Sequence, residues 1–347
     1  MPEKFIIQNH VKLLKRLLDV YPSAYVSLEN NRLTMLFFVL SSLDILNRLD
    51  QISDERRTKI IEWIYKLQLT SSSGCRPEVC GFRGSFSASS STDSVHCQYE
   101  SAHLAQTYSA LCCLLILGDD LARVDRVAIL NAVKLCQLED GSFAGAGIDS
   151  ENDMRFVFCA ISICYILNDF SFINVEKMCE FVKRSYGYDG GIAQGPCLES
   201  HGGSTYCAIA SLSLLGKLYD DKILTLKQLE RIKKWALKKQ DEGFHGRTNK
   251  PDDSCYAFWI GGTLAMLNAQ SLVDGEKLRS FLMSTQDERI GGFAKYSDSC
   301  SDVLHTYFSI AALSIFHEPL LMPVFAPLNI SQRAHEFLMK LKTRSSI

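Results

Sequence analysis

A glycine-centred turn returns along this chain, and a helix-length run with almost no charge follows each return. The turns read "GFRGSF" at Gly81, "CQLEDGSFAG" at Gly141, "SYGYDGGIAQG" at Gly190, "KKQDEGFHG" at Gly243 and "STQDERIGGFAKY" at Gly291. After the first, they lie about 50 residues apart, the period of a repeated supersecondary unit. The runs that follow are "SAHLAQTYSALCCLLILG", "DMRFVFCAISICYILN", "GGSTYCAIASLSLLGKL", "DSCYAFWIGGTLAML" and "DVLHTYFSIAALSIF". Between each run and the next turn lies an amphipathic segment such as "LKQLERIKKWALKKQ". Strand-like alternation is nearly absent. The chain therefore reads as helical hairpins, each with one apolar and one amphipathic member.

A helix that is apolar nearly all round needs burial on every side, whereas an amphipathic helix needs it on one. An inner ring of apolar helices inside an outer ring of amphipathic ones meets both demands. An open solenoid of hairpins is the alternative, but it would leave the apolar helices lining an exposed concave face. The expected fold is all-α, a closed α/α barrel over residues 1–347 as a single domain. A Ser/Gly-rich stretch at about 71–98, "SSSGCRPEVCGFRGSFSASSSTDS" and the residues after it, reads as a long surface loop.

With 47% apolar and 22% charged residues, a packed body is expected rather than disorder. A formal charge of −2 carries no bulk attraction to nucleic acid, so any basic site must be local. The 13 cysteines sit mostly inside apolar runs, the pattern of reduced core thiols in a cytoplasmic chain. The start, "MPEKFIIQNHVKLLKRLL", is amphipathic and lacks the marks of a secretory signal. No apolar run reaches the ~18 residues of a membrane span.

Aligning the apolar runs puts His103, Arg155, Cys255 and His305 near their starts, about one repeat apart. Equivalent hairpins would bring these starts to one rim, where polar groups above an apolar bowl make a small-molecule site. Asp253, Cys255 and His305 are an O, S and N set of the kind zinc accepts, and three protein ligands leave one position open. The plain alternative is an N-cap aspartate, a core cysteine and a helix-start histidine. His201, Arg247, Lys250, Tyr256 and Lys295 fall near the same rim and suit a diphosphate. Taken singly, Arg247 and Lys250 read as a solvated turn and Lys295 as surface. Tyr206, Phe258, Trp259, Tyr307 and Phe308 lie on inner helices, where they serve as core or line the bowl. Cys75, Cys80, His96 and Cys97 offer a weaker structural-metal set. No phosphate-binding loop, dinucleotide fingerprint or serine-nucleophile motif occurs.

Three stretches, "CLESHGGSTYCAIASL", "GRTNKPDDSCYAFW" and "GGFAKYSDSCSDVLHTYF", closely resemble the β subunits of protein prenyltransferases, the type I geranylgeranyl branch above all. The resemblance runs from about residue 28 to about residue 333. It implies a barrel paired with a separate helical α subunit. It implies transfer of a geranylgeranyl group from geranylgeranyl diphosphate to the cysteine of proteins ending in a CaaX sequence, usually Leu-terminated, such as Rho/Rac-type small GTPases. Asp253, Cys255 and His305 become the implied ligands of one catalytic Zn2+. His201, Arg247, Lys250 and Tyr256 become the implied diphosphate contacts. Arg155 matches the arginine that helps seat the peptide, and His103, Ala105 and Phe156 match positions around its last residue. Thr34 stands where farnesyl enzymes carry a tryptophan that shortens the bowl, and Phe308 follows the type I pattern. Lys295 stands where farnesyl enzymes carry a magnesium-holding aspartate, so Mg2+ is not expected to be required. His245 and Thr248 within the diphosphate loop, and the 71–98 stretch, depart from the pattern. Three other readings are a farnesyl or Rab-type enzyme, a terpene cyclase, whose D-x-D-D motif is absent here, and a silent helical scaffold.

Overall fold

The computed structural model describes residues 4–71, 75–87, 101–147 and 149–344. Six helices form the inner wall: α2 (Arg32–Ile45), α4 (Leu104–Leu117), α6 (Met154–Ile166), α8 (Gly202–Leu214), α10 (Tyr256–Met266) and α12 (Val303–Ile315). Each packs on the next, and α12 packs back on α2, so the ring closes and the open solenoid is excluded. The outer helices are α3 (Asp54–Lys66), α5 (Arg126–Cys136), α7 (Val175–Arg184), α9 (Leu226–Leu237) and α11 (Gly275–Ser284). Two terminal helices, α1 (Ile7–Asp19) and α13 (Gln332–Arg344), lie against the inner ring at α2 and α4. Among the described residues strands are confined to two-residue antiparallel pairs, as the lack of alternation predicts.

Local chemistry starts each outer helix. Ser53, Asp125, Asn174, Thr225 and Asp274 each accept a backbone N–H of the first turn, and Thr225 with Gln228 completes a capping box. The inner helices carry a further contact at their starts. In four of them an N–H of the first turn is taken by a carbonyl of the next repeat's turn: Leu33 by Gly84, Leu104 by Gly145, Met154 by Gln194 and Gly202 by Gly246, at 2.8–3.0 Å. Ser254, just before α10, bonds to Lys295 O in the same way at 3.2 Å. At the last seam no further repeat exists, and Val303 N donates instead to the Tyr25 hydroxyl at 2.9 Å. Helix-terminal donors that would otherwise be orphaned thus become the stitches between hairpins.

The turn residue after each glycine step explains the recurrence of an apolar side chain there. Phe82, Phe143, Ile192, Phe244 and Phe293 are all fully buried. Gly141 has φ +90°, and a Cβ there would lie 2.0 Å from the Lys177 carbonyl oxygen, so only glycine lets the turn pass under α7. Residues 80–85 correct the expectation for the 71–98 stretch. Cys80, Phe82 and Ser85 are buried, Phe82 N donates to Thr107 Oγ1, and Gly84 O holds Leu33 N. This part is the first repeat's turn rather than surface loop, because its backbone completes the α2–α4 seam. Residues 72–74 and 88–100 lie outside the described residues, and with them His96 and Cys97 of the weaker metal set.

Inside the ring, aromatic side chains from all six inner helices touch in a closed circuit. Phe37, Tyr108, Phe158, Tyr206, Phe258, Phe308 and Tyr307 follow one another with ring centroids 5.1–5.6 Å apart, and Tyr307 returns to Phe37. Three hydroxyls of this belt donate to the segment between α12 and α13: Tyr206 to Ala326 O, Tyr108 to Leu328 O and Tyr307 to Asn329 O. That segment caps one end of the barrel and satisfies the only polar atoms of three buried rings. All described cysteines are free thiols, and no described helix is long and apolar enough to cross a membrane.

The N-terminal segment latches the last repeat. His10 is buried between the rings of Phe5 and Phe293, its Nδ1 accepts Gly292 N at 2.8 Å, and Gln286 Oε1 lies 3.0 Å from its Nε2. Burial, only partly opposed by Gln286, lowers its pKa to about 4. Two predictions follow from turn and latch. Gly141→Ala should lower stability by about 3 kcal/mol in thermal or denaturant unfolding, through clash and a left-handed φ. For His10 the unfolded chain takes the proton first, so stability should fall as pH drops from about 6.5 towards 4, by about 2 kcal/mol at pH 5. Denaturant midpoints at pH 7 and pH 5 should converge for His10→Asn, which cannot titrate.

Candidate active site

Because the inner helices are stitched by their first turns, those turns share one rim of the barrel. His103, Asp153, His201 and Asp302 each accept a backbone N–H at the start of α4, α6, α8 and α12. The partial positive charge of several helix N-termini therefore collects at this rim, a setting that favours anions. The sequence register is looser than strict repetition implies. His103, His201 and Cys255 stand just before their helices, while Arg155 and His305 are one to three residues inside.

Asp253, Cys255 and His305 come together there, with one ligand atom from each within 4.8 Å of the others. His305 Nε2 is 3.3 Å from Asp253 Oδ1, and Cys255 N donates to the same Oδ1 at 2.9 Å. Asp302, which sequence reading passed over, lies behind the ring. Its Oδ2 is 2.6 Å from His305 Nδ1, while its Oδ1 accepts His305 N at 2.9 Å. One carboxylate thus caps α12 and turns Nε2 towards Asp253, the arrangement that orients a metal-ligating imidazole. The D-x-x-H spacing was the available signal. Burial lowers the His305 pKa, but the Asp253 and Asp302 carboxylates outweigh it and bring it up to about 9. Burial also raises Asp253, and its hydrogen bonds with His305 and Cys255 outweigh that and leave it below the usual carboxylate range. Burial, reinforced by Asp253, pushes the Cys255 thiol up. A carboxylate, a thiol and an oriented imidazole that share protons at this distance are equally able to exchange them for a divalent cation.

His201 and Tyr256 flank this set. Gly203 N donates to His201 Nδ1 at 3.0 Å, so the neutral ring carries its proton on Nε2, which is 2.9 Å from the Tyr256 hydroxyl. Burial, with Arg247 adding to it, lowers the His201 pKa and keeps the ring neutral. The Tyr256 hydroxyl therefore accepts from His201 and keeps its own proton to donate. Gly246 lies flat across this ring: a Cβ there would sit 1.9 Å from Tyr256 Cζ. Lys295 Nζ is 3.6 Å from Asp253 Oδ2, which joins a cation directly to the Asp253–Cys255–His305 cluster. Arg247 is half-exposed, with Nη1 3.8 Å from Glu199. Lys250 is exposed and lines a cavity of about 630 Å³ on the outer side of the same loop, apart from the Asp253–Cys255–His305 cluster.

Across the rim, half-buried His103 stands edge-on to Phe156, beside Ala105, whose N–H its Nδ1 accepts. Arg155 is tied down by Asp153 and Glu151 at 2.6 and 2.9 Å. Thr34 is half-buried on α2 and donates to Gln106 Oε1 at 3.0 Å, with Ser109 Oγ 3.2 Å away. Phe308 packs on Phe38 and Trp259, at 5.6 and 4.3 Å between centroids. Sequence reading named four rings of the belt, with Trp259 beside it, and missed Phe37, Tyr108 and Phe158 of the belt and the adjoining Phe38. Those four lie on helices whose apolar content gave no sign of which side faced inwards.

Comparison with known proteins places this geometry. A family described as the prenyltransferase alpha-alpha toroid domain matches residues 5–339. Geranylgeranyl transferase type-1 subunit beta of Dictyostelium discoideum is 40% identical over 337 residues, covering 93% of this chain and 94% of the relative. The subunit of the same name from Arabidopsis thaliana is 36% identical over 333 residues, covering 93% and 88%. The structure of Candida albicans protein geranylgeranyltransferase-I complexed with GGPP superposes with a TM-score of 0.87 at 26% identity, covering 97% and 99%. The chain belongs to the prenyltransferase α/α-toroid family, among its geranylgeranyl transferase type-1 β subunits.

Proposed function

We propose that this chain is the catalytic β subunit of a zinc-dependent geranylgeranyltransferase type I. It forms a thioether between a geranylgeranyl group and the cysteine of a CaaX protein, with Leu-ending substrates such as Rho/Rac-type small GTPases preferred. It works as a heterodimer with a prenyltransferase α subunit in the cytoplasm. The observation that carries this reading is the Asp253–Cys255–His305 set, with Lys295 against one of its oxygens and His201–Tyr256 beside it. An O, S and N donor set, with its imidazole oriented by Asp302, suits Zn2+. Bound there, zinc would hold the substrate cysteine as its thiolate, the nucleophilic form, at neutral pH.

The chain's own residues serve the other half of the reaction. As the C1–oxygen bond of the diphosphate breaks, negative charge grows on the leaving oxygen. Donors already in place stabilise that charge without reorganising. The Tyr256 hydroxyl, polarised by the His201 N–H, is one such donor. A hydrogen bond with Tyr296, with Asp253 adding to it, raises Lys295, which stays an ammonium that can meet diphosphate without magnesium. Arg247 approaches the same anion as a solvated cation, and Lys250, on the outer side of the loop, adds its charge from further away. His103, Ala105, Phe156 and Arg155 offer a mixed polar and apolar wall for the peptide end. Phe38, Trp259 and Phe308 wall the lipid, and the small Thr34 leaves length for a C20 chain.

Transfer by the heterodimer to a Leu-ending peptide, with zinc present and magnesium omitted, tests the reading. C20 diphosphate should be used well ahead of C15, and Thr34→Trp should reverse that preference. A magnesium requirement with preference for C15 would overturn the type I assignment. Asp302→Ala should weaken zinc affinity by about 10–100-fold, measured by competition with a chromophoric chelator, while the chain stays folded.

A further inference from the structure

A second group of metal-type donors lies outside the site above. Asp241, His245 and Asp252 each place one ligand atom within 4.8 Å of the others, the only such set besides Asp253–Cys255–His305 among the described residues. His245 Nδ1 is 3.4 Å from Asp241 Oδ2 and 3.5 Å from Asp252 Oδ1. Two ligands bound at about 2.1 Å with a tetrahedral angle stand about 3.4 Å apart, so these separations are those of a tetrahedral edge. The primary set shows the same value, 3.3 Å between His305 Nε2 and Asp253 Oδ1.

The hydrogen bonding points the same way. His245 Nδ1 and Asp252 Oδ1 are both buried without a hydrogen-bond partner among the described residues. Buried polar atoms are rarely left so. Asp252 Oδ2 accepts Gly243 N at 2.8 Å, which fixes the carboxylate with Oδ1 facing the ring. Of the cations nearby, Lys239 bonds to Thr248, Arg247 pairs with Glu199 and Lys277 with Glu242, while Lys234, Lys238 and Lys250 line the adjoining cavity. Asp241 is exposed at the mouth, open to water and to an entering ion. Backbone bonds from His245 N to Lys239 O and from Asp253 N to Phe244 O hold the three donors in register.

We infer that Asp241, His245 and Asp252 bind a second divalent cation of the zinc class, with water completing its shell. The ion closes the segment from Asp241 to Asp252, and so clips the loop that carries Arg247 and Lys250. Binding at this site does not depend on the role given to those two residues; the clip's effect on diphosphate does.

Cobalt titration of the metal-stripped heterodimer separates the two sites, because only the first contains sulfur. Wild type should take two equivalents: one with a sulfur-to-cobalt charge-transfer band, and one with ligand-field absorption alone. His245→Gln and Asp241→Asn should each abolish the second equivalent and leave the charge-transfer band unchanged. Asp241 is exposed, so its variant keeps the fold. A single equivalent in wild type would overturn the proposal, as would a second equivalent that carries the sulfur band or survives both variants.

Discussion

The backbone hydrogen bond between the first turn of one inner helix and the turn of the next repeat is the constraint on which this structure rests. An α-helix leaves its first N–H groups without intrahelical partners, and here Leu33, Leu104, Met154 and Gly202 give theirs to Gly84, Gly145, Gln194 and Gly246. Such a bond has little freedom in direction, so it sets both the height and the angle at which neighbouring hairpins meet. Repeated round the ring, it leaves one seam without a following repeat. Tyr25 fills that seam with a side-chain hydroxyl, and the His10 latch holds the outside of the same joint.

The stitch has an electrostatic consequence. Bonds made at helix starts bring helix starts to the same rim, and the rim inherits their partial positive charge. His201 and Asp302 then do double duty. Each caps a helix with one atom and positions a neighbouring side chain with another: Tyr256 in the first case, His305 in the second. Positioning groups that are also helix caps are hard to misplace, because rotating them away leaves a helix N-terminus unsatisfied.

Below the rim the aromatic belt and the cap at Ala326–Asn329 close the other end. The belt rings are buried at the cost of three hydroxyls, and those hydroxyls find backbone carbonyls in the segment that seals the barrel. Packing and sealing are therefore one device. Thr34, Phe38 and Trp259 are half-buried on the inner helices beside it.

By itself the sequence determined the repeat, the division into apolar and amphipathic helices, and the residue types of the site. Glycine steps and all-round apolar helices are local signals, and the donor chemistry of Asp253, Cys255 and His305 is visible at any distance. The resemblance then assigned their roles. Ring closure was only inferable, because it depends on contact between α2 and α12, some 270 residues apart. Asp302, the His201 tautomer and the inward faces of Phe37, Phe38, Tyr108 and Phe158 belonged to the tertiary structure alone. So did the burial of residues 80–85, which their composition hid, and the meeting of Asp241, His245 and Asp252. Each depends on which backbone carbonyl or side chain from another repeat stands opposite, and no local pattern carries that information.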